Sequence, residues 1–193
     1  KESIENGTNI LGAHIDSPRL DIKQNPLYES SEFVYLDTHY YGGIKKYQWV
    51  TIPLALYGVV AKKDGTVIDI AVGDDENDPV FSVTDLLVHL SSQQMSKKAN
   101  VVIEGEALDV LLGSKPLDAG DSDDKEATKD RVKAEILAIL KEKYNFDEDD
   151  FLSAEIEVVP AGKARDLGFD RAMVIGYGHD DRICAYTSLA AIL

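Results

Sequence analysis

The sequence predicts a mixed α/β fold (α/β with α+β character) in which a β-rich middle part is flanked by α/β-type pieces. Segments 33–41, 47–62 and 66–72 are rich in aromatic and β-branched residues, which is typical of strands. Segment 125–144 carries apolar residues at the 3.6-residue period of a helix. At each end of the chain, an apolar strand-like run is followed by histidine and aspartate residues.

The first flank is predicted to be extended. Residues 8–13 form an apolar run typical of a buried strand, and Ser17-Pro18 predicts a turn after it. Residues 19–23 alternate between polar and apolar and are expected to continue in extended form. Asn25-Pro26 then predicts a break in the strand and a boundary between domains.

The middle part is predicted to be a β-meander. The first strand spans 33–41, and a second long β segment spans 47–62, where Pro53 indicates an edge position or a bulge. Lys63-Asp64-Gly65 is a hairpin signal, so we expect 66–72 to pair back on the preceding strand.

Helices and strands are expected to alternate in the second half of the chain. We predict a short helix at 85–95, a short strand at 100–104, the long helix at 125–144 and a strand at 151–160. The apolar face of the long helix consists of Val132, Ile136, Ile139 and Leu140. Towards the end of the chain, 162–170 is expected to be a loop, 171–176 a buried strand, and 183–193 a helix.

Composition excludes several classes of partner. The 193 residues carry a formal net charge of −15, so no basic patch is available for nucleic acid or for an anionic membrane. The acidic clusters at 74–78, 118–126 and 147–150 are expected to be solvated loops. A single cysteine, Cys184, precludes an internal disulfide and fits a reducing compartment, so we expect a cytoplasmic protein.

Two groups of residues have the chemistry of metal ligands. Because residues i and i+2 of a strand point to the same side, His14 and Asp16 are expected to emerge together. A histidine that binds a metal commonly donates its other ring N–H to a carboxylate. Asp180 and Asp181 follow the second apolar run and could meet His14 at the same sheet edge. Two ordinary alternatives stay open: a surface histidine beside an aspartate, and aspartates that cap the following helix.

Three motifs resemble those of the aspartyl aminopeptidase and aminopeptidase I family. They are segments 12–19 (GAHIDSPR), 40–44 (YYGGI) and 177–182 (YGHDDR). The resemblance implies a metalloaminopeptidase that releases N-terminal amino acids from peptides by a water activated between two zinc ions. It also implies an α/β catalytic domain, 1–24 and 151–193, with a β-rich dimerisation or lid domain, 25–150, inserted between its strands. Such proteins are homo-oligomers in which dimers assemble into a larger closed particle.

The same resemblance assigns roles to four residues. His14 resembles the family's terminal zinc ligand, and Asp16 resembles the catalytic acid that orients that histidine. Asp181 resembles the bridging zinc ligand, and the resemblance implies an unusual peptide bond between Asp181 and Arg182. His89 lies where the family places a histidine that reaches a neighbouring subunit's substrate. The alternative for His89 is an exposed helix histidine.

One part of the family pattern is missing from this chain. The resemblance calls for a Glu-Glu pair, a further acidic ligand and a C-terminal histidine, and this sequence has no Glu-Glu. We therefore expect the chain to be an internal fragment that is inactive by itself. Two other interpretations stay open. The chain could be a non-catalytic oligomerisation module, or His179-Asp180 could be the doublet of an all-helical His-Asp metal phosphohydrolase, which the strand patterns disfavour.

Overall fold

A computed structural model describes residues 3–118 and 130–193, and these fall into two compact units. The smaller unit combines residues 3–18 with 164–193, and the larger unit covers 19–163 apart from the undescribed stretch. Helices and strands both contribute, so the predicted mixed class is confirmed. The long acidic cluster at 118–126 lies almost entirely outside the described residues.

The larger unit is built on an antiparallel sheet. Its described strands are β1 (Arg19–Ser30), β2 (Phe33–Tyr41), β3 (Leu54–Ala61), β4 (Val67–Val72), β5 (Ser82–Val83), β6 (Val110–Gly113) and β7 (Ala154–Pro160). They lie in the order β4-β3-β7-β1-β2-β6-β5. The helices of this unit are α1 (Ser92–Met95) and α2 (Arg131–Tyr144), with 3₁₀ turns at Lys46–Gln48, Gly105–Ala107 and Glu148–Ser153.

The strongest strand and turn patterns are confirmed. β2 has the predicted bounds, and the hairpin turn at 63–65 pairs β4 with β3, from Ala61 opposite Val67 to Leu56 opposite Val72. The second β segment is shorter than predicted, because a 3₁₀ turn occupies 46–48 and β3 starts at Leu54. Pro53 therefore lies just before an interior strand, where its missing N–H costs no ladder hydrogen bond.

The predicted break at Asn25-Pro26 is wrong, because both residues lie inside β1. The register of β1 against β2 shifts between Ile22 and Leu27, so a bulge accommodates the proline without ending the strand. The boundaries between the two compact units lie between residues 18 and 19 and between residues 163 and 164. Assigning the units to a catalytic and an inserted domain stays a prediction.

The core of the larger unit lies between the sheet and α2. Val132 is buried, while Ile136 and Leu140 pack against the core from the same helix face and Ile139 is exposed. The part of the predicted helix before residue 130 lies outside the described residues. The largest fully buried apolar side chains are Leu20, Leu54, Leu108, Val34, Val60, Val83, Val110, Val132 and Val158.

Two further predictions in the larger unit are wrong. Segment 85–95 is helical only at α1, and segment 100–104 contains no strand. Leu86, Leu87 and Leu90 are exposed, so the predicted apolar stripe packs on nothing in the described chain. A short helix draws most of its stability from tertiary packing, and without it the leucine spacing does not suffice.

The smaller unit contains the 3₁₀ turn Ile4–Asn6, a hairpin of β8 (Arg165–Leu167) with β9 (Met173–Ile175), and α3 (His179–Ile192). The predicted strand at 8–13 is wrong, since these residues are exposed and non-repetitive. The predicted loop at 162–170 contains β8, and the predicted buried strand at 171–176 is the exposed three-residue β9. A strand needs neighbouring strands to be buried, and a lone hairpin is only marginally stable in water.

No helix within the described ranges combines the length and the apolar character that crossing a membrane requires.

Candidate metal centre

The candidate centre lies in the smaller unit, where the loop after residue 12 meets the start of α3. His14 Nε2 lies 3.2 Å from Asp180 Oδ1, although the two residues are 166 positions apart in sequence. Asp180 and Asp181 have non-helical backbone angles at the start of α3, so the chain bends there. Gly178 precedes this bend with φ +84°, and a Cβ on it would lie 2.9 Å from Arg182 Nη1.

The other ring nitrogen of His14 is held by Asp16. His14 Nδ1 lies 3.1 Å from the Asp16 carbonyl oxygen and 3.2 Å from Asp16 Oδ1. Both of these atoms are acceptors, so Nδ1 carries the proton and donates it. This is the arrangement by which a carboxylate fixes the tautomer of a metal-binding histidine. The predicted pairing of His14 with Asp16 is therefore present in the structure.

The protonation of His14 follows from these contacts. With the proton on Nδ1, a neutral ring presents the lone pair of Nε2 to the Asp180 carboxylate. That contact is favourable only if Nε2 is protonated or if both atoms face a cation. Desolvation lowers the pKa of His14, but the hydrogen bonds to Asp16 and the charges of Asp16 and Asp181 outweigh it and raise that pKa above its usual value.

The structure brings Asp180, rather than Asp181, into contact with His14. The Asp181 carboxylate instead accepts a hydrogen bond from the thiol of Cys184, which raises the pKa of that thiol. The cis peptide bond joins Asp180 to Asp181, one residue before the position that we predicted. The sequence offers two adjacent carboxylates, and the backbone conformation at the start of α3 selects between them.

The alternative that Asp180 or Asp181 caps α3 agrees only in part with the structure. The N-cap of α3 is Gly178, and within the described ranges no side-chain hydrogen bond caps this end of the helix. Asp180 and Asp181 still lie in the first turn, where a negative charge interacts favourably with the helix dipole. The contact of Asp180 with His14 is additional to that role.

His89 belongs to the larger unit and lies on a turn, not on the predicted helix. The turn is closed by a hydrogen bond from the Leu90 amide to the Leu87 carbonyl, and the His89 side chain is exposed. The His-Asp phosphohydrolase alternative does not fit, because that doublet belongs to an all-helical fold and the described residues of the larger unit form a seven-stranded sheet.

Ser17 and Tyr177 lie inside the motifs 12–19 and 177–182, but neither of them was assigned a role at the centre from the sequence. Ser17 Oγ donates to the Asp180 carbonyl oxygen at 3.2 Å, and Tyr177 Oη donates to the Pro18 carbonyl oxygen at 2.7 Å. Ser17 was interpreted only as part of a turn with Pro18. No local pattern indicates a hydrogen bond to a residue some 160 positions away, and the presence of both residues within the motifs was the available signal.

The donor atoms fit zinc as a partial set of ligands. Zinc in proteins binds histidine nitrogen and carboxylate oxygen at about 2.0–2.2 Å, which puts two tetrahedral ligands about 3.4 Å apart. The 3.2 Å between His14 Nε2 and Asp180 Oδ1 is close to that separation. Structural and catalytic zinc sites use three or four protein ligands. Over residues 3–118 and 130–193, no group of three or more metal-binding side chains is assembled.

Comparison with known proteins identifies the family. Residues 1–193 match the family described as aminopeptidase I zinc metalloprotease (M18). A probable M18 family aminopeptidase 1 of Clostridium acetobutylicum is 63% identical over 193 residues, and this chain spans 40% of its length. A crystal structure of aminopeptidase I from Clostridium acetobutylicum has a TM-score of 0.88 and 62% identity, covering 100% of this chain and 41% of that one.

The chain belongs to the M18 family of zinc metallopeptidases. It spans about two fifths of the length of the curated relatives that it matches. The fold is shared with more distant structures, among them one of the S. cerevesiae mApe1 dodecamer, with a TM-score of 0.59, 16% identity, and coverage of 94% of this chain and 37% of that one.

Proposed function

We propose that the full-length protein is a metalloaminopeptidase that removes N-terminal amino acids from peptides, and that this chain supplies part of its metal centre. The observation that carries the proposal is the contact between His14 Nε2 and Asp180 Oδ1. It joins two donor types that zinc prefers, across 166 positions of sequence. Membership of the M18 family supplies the reaction class.

In this proposal each residue of the centre has a distinct task. His14 and Asp180 are metal ligands. Asp16 holds the His14 ring in the orientation in which its Nε2 atom faces the Asp180 carboxylate. Asp181 follows Asp180 directly in the chain, and its charge acts on His14. Zinc, when bound, would polarise the substrate carbonyl and lower the pKa of a bound water.

The rest of the full-length protein would complete the centre. The described residues assemble no group of three metal-binding side chains, so further ligands and a general base have to come from elsewhere. Two zinc ions per centre, as in the resembling family, would need such additional ligands. By itself, this chain would then bind metal weakly and have no peptidase activity.

We further propose that the protein acts as a cytoplasmic homo-oligomer. Leu86, Leu87 and Leu90 are exposed next to His89, and neighbouring exposed apolar side chains mark interaction surfaces. Contact of this segment with a neighbouring subunit would cover the leucines and would let His89 bind substrate there. The mApe1 relative with the same fold is itself a dodecamer.

The free, exposed Cys184 fits a reducing compartment.

The test is peptidase activity of the full-length protein on aminoacyl chromogenic substrates, with and without a chelator. We expect chelation to abolish activity and added zinc to restore it. His14→Ala and Asp180→Ala should each abolish measurable activity and lower the zinc content, since each removes a metal ligand. His39→Ala is the matched control, because His39 is an exposed histidine of β2 that stacks on Tyr40. Chelator-insensitive activity would refute the proposal.

The same experiment decides between the two aspartates. Asp181→Asn keeps the size of the side chain and removes its charge, so comparison with Asp180→Asn isolates ligation from charge. We expect Asp180→Asn to lose zinc. If Asp181→Asn loses more zinc than Asp180→Asn, then Asp181 is the ligand, as the sequence predicted.

A non-catalytic assembly module is the second candidate, and the exposed leucines at 86–90 favour it. Sedimentation of the full-length protein and of its Leu87→Glu variant tests this function separately from catalysis. A strict monomer at micromolar concentration would contradict it.

A further inference from the structure

Ser17 and Tyr177 connect the two segments that carry His14 and Asp180. Ser17 Oγ donates to the backbone carbonyl of Asp180 at 3.2 Å. Tyr177 Oη donates to the backbone carbonyl of Pro18 at 2.7 Å. The two bonds are reciprocal, since each segment provides one side-chain donor and one backbone acceptor. They span 163 and 159 positions of sequence.

Ser17 has an unusual position within its unit. Among the described residues of the smaller unit, 3–18 and 164–193, it is the one buried residue, with 7% of its surface exposed. The side chains of His14 and Asp180 are 53% and 92% exposed. Packing therefore does little to hold these two side chains in place. The hydrogen bonds of Ser17 and Tyr177 instead connect the backbone segments that carry them.

The spacing places these bonds next to the metal-binding atoms. Ser17 lies three residues after His14, and Tyr177 lies three residues before Asp180. A metal centre requires its ligands within about 0.5 Å of the productive geometry. Losing either bond would remove one of these two connections between the loop that carries His14 and the start of α3.

We propose that Ser17 and Tyr177 are positioning residues that set the separation of His14 and Asp180 for metal binding. This inference rests on the proposed function, because it takes that pair as ligands. Neither hydroxyl touches the metal or the substrate in this proposal. Both act through the backbone of the segments that carry the ligands.

The test measures zinc affinity of the full-length protein by competition with a chromogenic chelator. Ser17→Ala and Tyr177→Phe remove one hydroxyl each and keep the rest of the side chain. Loss of a hydrogen-bonding group that orients a metal ligand typically costs 10- to 100-fold in metal affinity. We expect each variant to lose about tenfold in zinc affinity. At saturating zinc, kcat should recover most of its original value, since the ligands remain.

Thr187→Val is the matched control. Thr187 Oγ1 bonds the Ile183 carbonyl at 3.0 Å within α3, so its removal deletes a hydroxyl of the same unit without touching the connection between the segments. Its zinc affinity should stay within about twofold of the original protein. Circular dichroism confirms that the variants are folded, and if Ser17→Ala is not, Tyr177→Phe tests the proposal by itself.

The outcomes separate this inference from the proposed function. If His14→Ala loses zinc while folded Ser17→Ala and Tyr177→Phe keep the original affinity, the positioning role is wrong and the metal centre stands. If both variants lose thermal stability equally with and without zinc and keep their zinc affinity, their role is only structural, which also overturns the proposal. If the original protein binds no zinc, both proposals fall together.

Discussion

Substituting Gly58 with alanine should open the centre of the sheet of the larger unit. Gly58 lies in β3 opposite Ile156 of β7, within a register that runs from Leu54 opposite Pro160 to Val60 opposite Ala154. A Cβ at this position would lie 1.9 Å from the Glu155 carbonyl oxygen and 2.7 Å from the Ile156 Cα. Both atoms belong to backbone, so no side-chain rotation can relieve the overlap.

The expected loss of free energy of unfolding follows from these distances. Ordinary contact begins near 3.4 Å, so the two strands would have to separate locally by about 1.5 Å. Overpacking of an interior costs about 1–3 kcal/mol, and losing two ladder hydrogen bonds adds about 1 kcal/mol each. We therefore expect Gly58→Ala to lower the free energy of unfolding by about 3–5 kcal/mol, a large fraction of the stability of a typical domain.

The assay is urea unfolding of the full-length protein combined with hydrogen exchange of the β3 and β7 amides. Exchange should accelerate in these two strands first, because the clash lies between them. Gly43→Ala is the control, since a Cβ there meets no heavy atom within 4 Å and its φ is not positive. A Gly58→Ala protein within 1 kcal/mol of the original, with unchanged exchange in β3 and β7, would refute the reasoning.

Two further predictions concern polar groups of the larger unit. The Asp74 carboxylate accepts hydrogen bonds from the Tyr57 hydroxyl and the Gly162 amide, which lower the pKa of Asp74, while the same bond raises the pKa of Tyr57 to about 12. The stability from Asp74 is thus present above about pH 4 and is lost as pH falls further, and that from Tyr57 is lost between about pH 10 and pH 12. Urea midpoints measured against pH should change less steeply at both extremes in Tyr57→Phe, and identical slopes would contradict this explanation. Thr38 is fully buried and donates to the Leu108 carbonyl at 2.7 Å. Thr38→Val should cost about 1–3 kcal/mol in urea unfolding, because that carbonyl loses its partner, and a loss below about 0.5 kcal/mol would mean that the bond contributes little.

Elements with strong local signals could be predicted from the sequence. β2 and the β3–β4 hairpin follow from β-branched and aromatic composition and from Lys63-Asp64-Gly65, which are local properties of the backbone. The family also follows from local motifs, of which 12–19 and 177–182 contain His14 and the two aspartates. Such features depend on residues close in sequence, so tertiary context does not alter them.

Patterns that need a distant partner were less informative. The apolar run 8–13 and the leucines of 85–95 have the composition of a strand and a helix, yet both are exposed and irregular. Amphipathic segments adopt regular structure when something covers their apolar side, and the described residues provide no such surface for these two. Asn25-Pro26 had the opposite outcome, because its neighbours in β1 pair strongly enough to continue the strand through a bulge.

In the candidate centre, too, one contact could be predicted from local sequence and another was decided by the tertiary structure. Local sequence places Asp16 two residues after His14, and the structure contains that contact although the strand predicted before them does not form. Whether Asp180 or Asp181 faces His14 was decided only by the tertiary structure. Adjacent carboxylates are chemically equivalent in sequence, and the backbone bend at the start of α3, where Ser17 donates a hydrogen bond to the Asp180 carbonyl across 163 positions, leaves one of them facing the histidine.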